Sequence, residues 1–350
     1  MACSSPLYGF RMLDVDPNTG ELFHYRFRKN EEMRFDGDTR IKDDKFQFVS
    51  KTYFPTEEDR MAYWQRIKNT PGYETALIPC GRCLECRLEY SRQWANRCML
   101  EASVHPDNWF ITLTYDDEHL PLNSKGFPTL NKDEISIFIK NLRRYFDYHF
   151  KHNNIRFFGC GEYGETTARP HYHVLIFNLP LMDLNYMFTK NNNAYFESLI
   201  VNKIWDKGFA VISDVSWDTC AYTARYVVKK AKGETASVYS ELDIVPEYVR
   251  MSRDPGIGKA YFDSHKDLIY RYDKLTIPGV GPIRPSRYYD KLYDLENPAR
   301  LFELKEKRIA VAEGCQAVEM ANTSLSPLDY MHSKHELLVK KIESLKRDEI

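Results

Sequence analysis

Two periods organise the apolar positions of this chain. In residues 169–177 a strand's period of two puts His171, His173, Leu175 and Phe177 on one face and Tyr172, Val174 and Ile176 on the other. Both faces are mostly apolar, which predicts a strand at the centre of its sheet. Residues 109–115 are β-branched and aromatic, and the polar Asp116, Asp117 and Glu118 end that strand. Ile135, Phe138, Ile139, Leu142 and Phe146 recur at helical spacing to about residue 149, behind a capping-box-like pair, Asn131 and Glu134. A strand over 155–162 and a loop over 163–168 lead back into the histidine strand. This order of strand, helix, strand, loop, strand predicts an α+β fold around an antiparallel core.

Further along, Phe196, Leu199, Ile200 and Ile204 predict a helix within 181–208, and 209–215 reads as another strand. Asp218 then caps a helix over 219–232, stopped by Gly233. Cys220, Ala221, Ala224, Val227, Val228 and Ala231 fall on one side of it, and Tyr222, Arg225, Tyr226 and Lys229 on the other. The small residues already form a core stripe, which leaves the two tyrosines on a face shared with cations. Four segments are expected: 1–78, with short strands and loops; a core over 79–235; a Gly/Pro/Tyr-rich extension over 236–299; and a charged helical tail over 300–350. Gly256 and Gly258 lack the Lys-Ser/Thr pair and strand context of a phosphate loop.

A net charge of −1 argues against nonspecific coating of nucleic acid, while 24 Tyr, 20 Phe and 5 Trp can serve either a core or base stacking. No run of 18 apolar residues predicts a membrane span, and the start lacks the pattern of a secretory signal. Eight cysteines, three of them at Cys80, Cys83 and Cys86, suit a reducing compartment. Their C-x-x-C-x-x-C spacing can hold a structural Zn²⁺ with Cys98, the nearest in sequence, as fourth ligand. Three reduced thiols around a glycine turn is the competing reading. Arg82, Arg87, Arg92 and Arg97 make the segment basic, partly offset by Glu85 and Glu89.

His171 and His173 on one strand face can reach one metal ion, with Glu162 brought opposite by the hairpin. Two imidazoles and a carboxylate suit Mn²⁺ or Mg²⁺ and leave positions open for phosphate and water. A tyrosine nearby could attack phosphorus, giving a phosphotyrosine and a free 3′-hydroxyl; a second tyrosine one turn away could act at the next round.

Residues 110–115, then Gly161-Glu162-Tyr163-Gly164 with Arg169-Pro170-His171-Tyr172-His173, then Tyr222-x-x-Arg225-Tyr226-x-x-Lys229, resemble in order the three motifs of HUH endonucleases. The replication initiators of microviruses, in their gokushovirus branch, are the nearest resemblance. It extends over Cys80 to Arg87 and Pro255 to Gly258, and so spans roughly 79–295. It implies a five-stranded antiparallel sheet with flanking helices, origin nicking and rolling-circle replication. It also implies action on single-stranded or replicative-form viral DNA, alongside host helicase and polymerase in the host bacterial cytoplasm, with no membrane partner. On that match His171, His173 and Glu162 would be metal ligands and Tyr222 and Tyr226 the nucleophiles. Lys229 would steady the phosphate or a metal-bound water, and Arg225, Lys230 and Arg169 would contact DNA. Tyr172 stands where the family has a bulky aliphatic residue, pointing away from the metal. Two rival readings are a nonenzymatic nucleic-acid-binding module with a cysteine-bound zinc, and an HUH transposase or relaxase.

Overall fold

The computed structural model describes residues 3–12, 14–15, 22–23, 47–48, 53–54, 56–70, 73–164, 166–225 and 235–343. The chain divides into two compact units, one of residues 1–87 with 324–350 and one of residues 88–323.

In the smaller unit β1 (Leu7–Met12) pairs antiparallel with β5 (Tyr73–Ile78) and β4 (Gln47–Phe48), while β2 (Asp14–Val15) pairs with β3 (Leu22–Phe23). Helix α1 (Glu57–Lys68) departs from the short strands and loops expected here. Its charged sequence hides its amphipathicity, because only Arg60, Trp64 and Ile67 are buried. Its start is nevertheless ordinary: Thr56 accepts from the Asp59 N–H, and three acidic residues fill the first turn, where the helix dipole favours them. Trp64 donates its indole N–H to the Gly9 carbonyl at 2.9 Å, which fixes the helix on β1.

The division between units falls within α2 (Leu84–Ala102). The larger unit then runs β6 (Asn108–Tyr115), α3 (Glu134–Phe150), β7 (Arg156–Tyr163), β8 (Pro170–Phe177), β9 (Leu184–Lys190), β10 (Asn193–Ser198), α4 (Leu199–Trp205), β11 (Gly208–Asp214) and α5 (Trp217–Arg225). After α6 (Thr235–Leu242) come β12 (Tyr248–Met251), α7 (Lys259–Tyr272), the hairpin of β13 (Leu275–Ile277) and β14 (Gly281–Ile283), α8 (Arg287–Glu296) and α9 (Pro298–Ala321). Helix α10 (Pro327–Glu343) returns to the smaller unit. No described helix is long and apolar enough to cross a membrane.

The fold is α+β, with one antiparallel sheet ordered β12-β7-β8-β6-β11-β10-β9. It has seven strands rather than about five, because β9, β10 and β12 extend its edges. Phe196 therefore lies in a strand, and the helix expected within 181–208 begins only at Leu199. Asn191 and Asn192 join β9 to β10 with φ of 51° and 62°, the left-handed pair that a tight hairpin turn demands and asparagine tolerates.

β8 is flanked on both edges and covered on both faces. Tyr172, Val174 and Ile176 pack with Ile111 and Leu113 against α3 and α4, where Ile135, Phe138, Leu142, Val201 and Trp205 are buried. Leu175 and Phe177 pack with Phe110 and Phe158 against Ala95 and Cys98 of α2 and Cys220 and Ala224 of α5. The period of two thus aims both histidines toward the α5 side of the sheet.

Two helix starts differ from expectation. Asn131 and Glu134 form no reciprocal capping box, since Lys207 donates to both Glu134 oxygens at 2.8 and 2.7 Å and α3 begins only at Glu134. Ser216, not Asp218, caps α5: its hydroxyl accepts from the Thr219 N–H at 3.2 Å, and Asp218 lies inside the first turn.

Candidate active site

The β7–β8 ladder pairs Glu162 with His171 and Cys160 with His173, while β6 brings Thr112 opposite His173. Directly opposed residues share a face, so a carboxylate, two imidazoles and a hydroxyl meet on rigid backbone. Glu162 Oε1 lies 2.7 Å from His171 Nε2 and 2.8 Å from His173 Nε2. The Tyr222 hydroxyl donates to the same oxygen at 2.7 Å. Three groups far apart in sequence thus converge on one atom that is nearly removed from solvent.

The far nitrogens of both rings are also held. His171 Nδ1 lies 3.2 Å from the Arg169 carbonyl, which can only accept, so Nδ1 carries the hydrogen there. His173 Nδ1 lies 3.0 Å from Thr112 Oγ1, which can accept in the same way. In that tautomer each neutral ring turns the lone pair of Nε2 inward, as a metal ligand with a protein-bound partner behind it does. The Nε2 atoms and one Glu162 oxygen lie within 4.8 Å of one another. Glu162 Oε2 is buried with no hydrogen-bond partner among the described residues, an orphan that a cation would satisfy. The donor set therefore fits a divalent metal with coordination positions left over.

Electrostatics agree with this geometry. Burial pushes the Glu162 carboxyl up, but its hydrogen bonds from His171 and His173 outweigh burial and hold it well below the usual carboxylate range. Burial lowers the His173 imidazole against the opposing pull of Glu162, which favours the neutral ring. Burial, then the charge and hydrogen bond of Glu162, pushes the Tyr222 phenol well above its ordinary value. Tyr222 is half-buried, edge-on to His173 at 4.9 Å and to Phe110 at 6.4 Å, rather than on an open face. The Arg225 guanidinium lies 4.4 Å above its ring and pulls the phenol back down.

Arg169 sits on the rim, bonded to Asp117 at 2.7 Å and to the Tyr115 carbonyl at 3.1 Å. Tyr226, Lys229 and Lys230 lie outside the described residues. Thr112 carries a position-fixing role that the sequence did not disclose; the available signal was its place on the Phe110 face of a strand beside the histidines.

The cysteines assort differently from expectation. Cys80, Cys83 and Cys86 converge, but Cys98 is not with them: it is fully buried in the core of the larger unit beside Cys220. At about 1.5 Å per residue, α2 carries position 98 on the order of 18 Å past Cys86. The fourth thiol at the cluster is Cys3.

Residues 108–231 match the family model of the replication-associated protein ORF2. The chain is 36% identical over 277 residues to replication-associated protein ORF2 of Spiroplasma virus 4, covering 77% of this chain and 85% of that protein. It is 32% identical to replication-associated protein VP4 of Bdellovibrio phage phiMH2K (67% and 74% covered) and 32% identical to replication-associated protein ORF4 of Chlamydia phage 1 (71% and 62%). No solved structure matches the chain. With this similarity extending over most of both chains, the protein belongs to the family of microvirus replication-associated proteins.

Proposed function

We propose that this protein starts viral DNA replication by nicking single-stranded origin DNA through attack of an α5 tyrosine on phosphorus. The observation that carries the reading is the convergence of His171, His173 and the Tyr222 hydroxyl on Glu162 Oε1. His171, His173 and Glu162 would hold Mn²⁺ or Mg²⁺, the two nitrogen donors favouring Mn²⁺ over the oxygen-seeking Mg²⁺. The bound cation would supply Lewis-acid withdrawal of charge from the scissile phosphate.

The chain's own residues do the rest. Tyr222 starts as a neutral phenol whose proton rests on the hydrogen bond to Glu162 Oε1. Neutralisation of Glu162 by a ligated cation removes the charge that holds that proton in place, and Arg225 above the ring favours the phenolate. The phenolate oxygen forms a bond to phosphorus as the bond from phosphorus to O3′ breaks. O3′ leaves with the electron pair and takes up a proton. The products are a 5′-phosphotyrosine and a 3′-hydroxyl that a host polymerase can extend; attack of a 3′-hydroxyl on the phosphotyrosine reverses the step and rejoins a strand. Tyr226 is assigned the second nucleophile and Lys229 the steadying of the phosphate, while Arg169, Arg225 and Lys230 contact the strand. The work is done in the host bacterial cytoplasm with a host helicase.

The test is cleavage of a single-stranded oligonucleotide carrying the viral origin. Wild type should cleave in Mn²⁺ and stop on chelation, and His171→Ala and His173→Ala should be inactive while still folded. Cleavage at the wild-type rate by both variants would put the metal site elsewhere.

A further inference from the structure

We propose that Cys3, Cys80, Cys83 and Cys86 bind one Zn²⁺ as a closed four-thiolate site that fastens the N-terminal segment to the turn preceding α2. The four Sγ atoms lie within 4.8 Å of one another, although Cys3 is 80 residues from Cys83. Cys3 Sγ and Cys83 Sγ are 3.6 Å apart, too far for a disulfide and close to the edge of about 3.8 Å that Zn–S bonds of about 2.3 Å give a tetrahedron. All four cysteines are free thiols. A cluster of several irons would have to space its thiolates more widely, so the geometry suits a single ion.

A four-thiolate zinc centre carries two net negative charges, which backbone N–H groups commonly offset. Such donors are in place. The Cys80 N–H points at Cys3 Sγ at 3.4 Å, and the Arg82 and Cys83 N–H groups point at Cys80 Sγ at 3.4 and 3.3 Å. Two successive amides can turn toward one sulfur because Gly81 adopts φ of 71°, a conformation a side chain would resist. The first helical turn of α2 then presents Cys86.

Strand pairing delivers the distant ligand. Leu7 of β1 opposes Ile78 of β5, so the residues just before Leu7 and just after Ile78 leave the sheet at the same end. Ser4, beside Cys3, donates to Glu85 Oε2 at 2.9 Å, and His335 of α10 bonds Glu85 Oε1 at 2.6 Å. These bonds fix the segment next to the cluster without offering a competing ligand. The site shares no residue with the Glu162 and histidine cluster and holds no open position, so its role is structural.

The test is elemental analysis and zinc-edge X-ray absorption of the full chain, purified under reducing conditions without added metal. The expected result is close to one zinc per chain with four sulfurs at about 2.3 Å. Cys3→Ser should lose zinc to a competing chelator on the order of tenfold more readily, and Cys98→Ser should retain it as wild type does. Should either variant fail to fold, the ligand count on wild type still decides. Three sulfurs with one nitrogen or oxygen would exclude Cys3. Bound iron, a disulfide among these cysteines, or a zinc-free chain would each overturn the proposal.

Discussion

Thr112 offers a sharp test because it touches neither metal nor DNA. Its hydroxyl accepts from His173 Nδ1–H at 3.0 Å, and that bond holds the tautomer whose Nε2 lone pair faces inward. Thr112→Val keeps the shape but leaves a buried N–H without a partner. An unsatisfied buried donor costs about 1–3 kcal/mol, and the ring can avoid this by moving its hydrogen to Nε2. There Glu162 Oε1 accepts it at 2.8 Å, and the nitrogen is lost as a ligand. Recovering the ligating tautomer therefore costs a similar amount, and a factor of ten corresponds to about 1.4 kcal/mol. Mn²⁺ affinity, read by calorimetry on the metal-free protein, should fall about 10- to 100-fold, the usual effect of removing such a partner. Origin cleavage should return when Mn²⁺ is raised, and Thr112→Ser should behave as wild type. Unchanged Mn²⁺ affinity in Thr112→Val would refute the tautomer argument.

Three further outcomes are expected from the same geometry. Tyr222→Phe and Tyr226→Phe should each retain some covalent adduct on a short oligonucleotide and the double variant none, read on a denaturing gel. Glu101 is fully buried, paired with Arg156 and bonded by the Gly258 N–H at 2.6 Å, so Glu101→Gln strands a buried guanidinium and should cost about 3–5 kcal/mol in a urea titration. Burial raises the Glu101 carboxyl, but bonds from His105, Gly258 and Arg156 outweigh it and lower it from 4.5. Its stabilisation is thus complete above pH 4.5 and is lost as pH falls through the depressed folded value, so acid unfolding of wild type should be steeper there than that of Glu101→Gln.

Much of the site could be read from the chain because it is local. The hairpin that pairs Glu162 with His171 closes over eight residues, and the alternation in β8 fixes which face the histidines share. The rest depends on distant pairing. Cys3 joins the cluster only through the register of β1 on β5, which no spacing reveals, and proximity in sequence wrongly favours Cys98. Thr112 is one more strand residue until β6 is laid against β8. The Asn191–Asn192 turn and the Thr56 cap are present as local signals, but aromatic helical spacing in one case and dense charge in the other conceal them.

Whether a tyrosine of this site becomes joined to DNA is decided most directly by peptide mapping, by mass spectrometry, of the adduct formed with single-stranded origin DNA in Mn²⁺. The expected product is a 5′-phosphate on Tyr222 or Tyr226, formed only while metal is present. A modified residue anywhere else, or the same yield in excess chelator, would contradict the proposed mechanism.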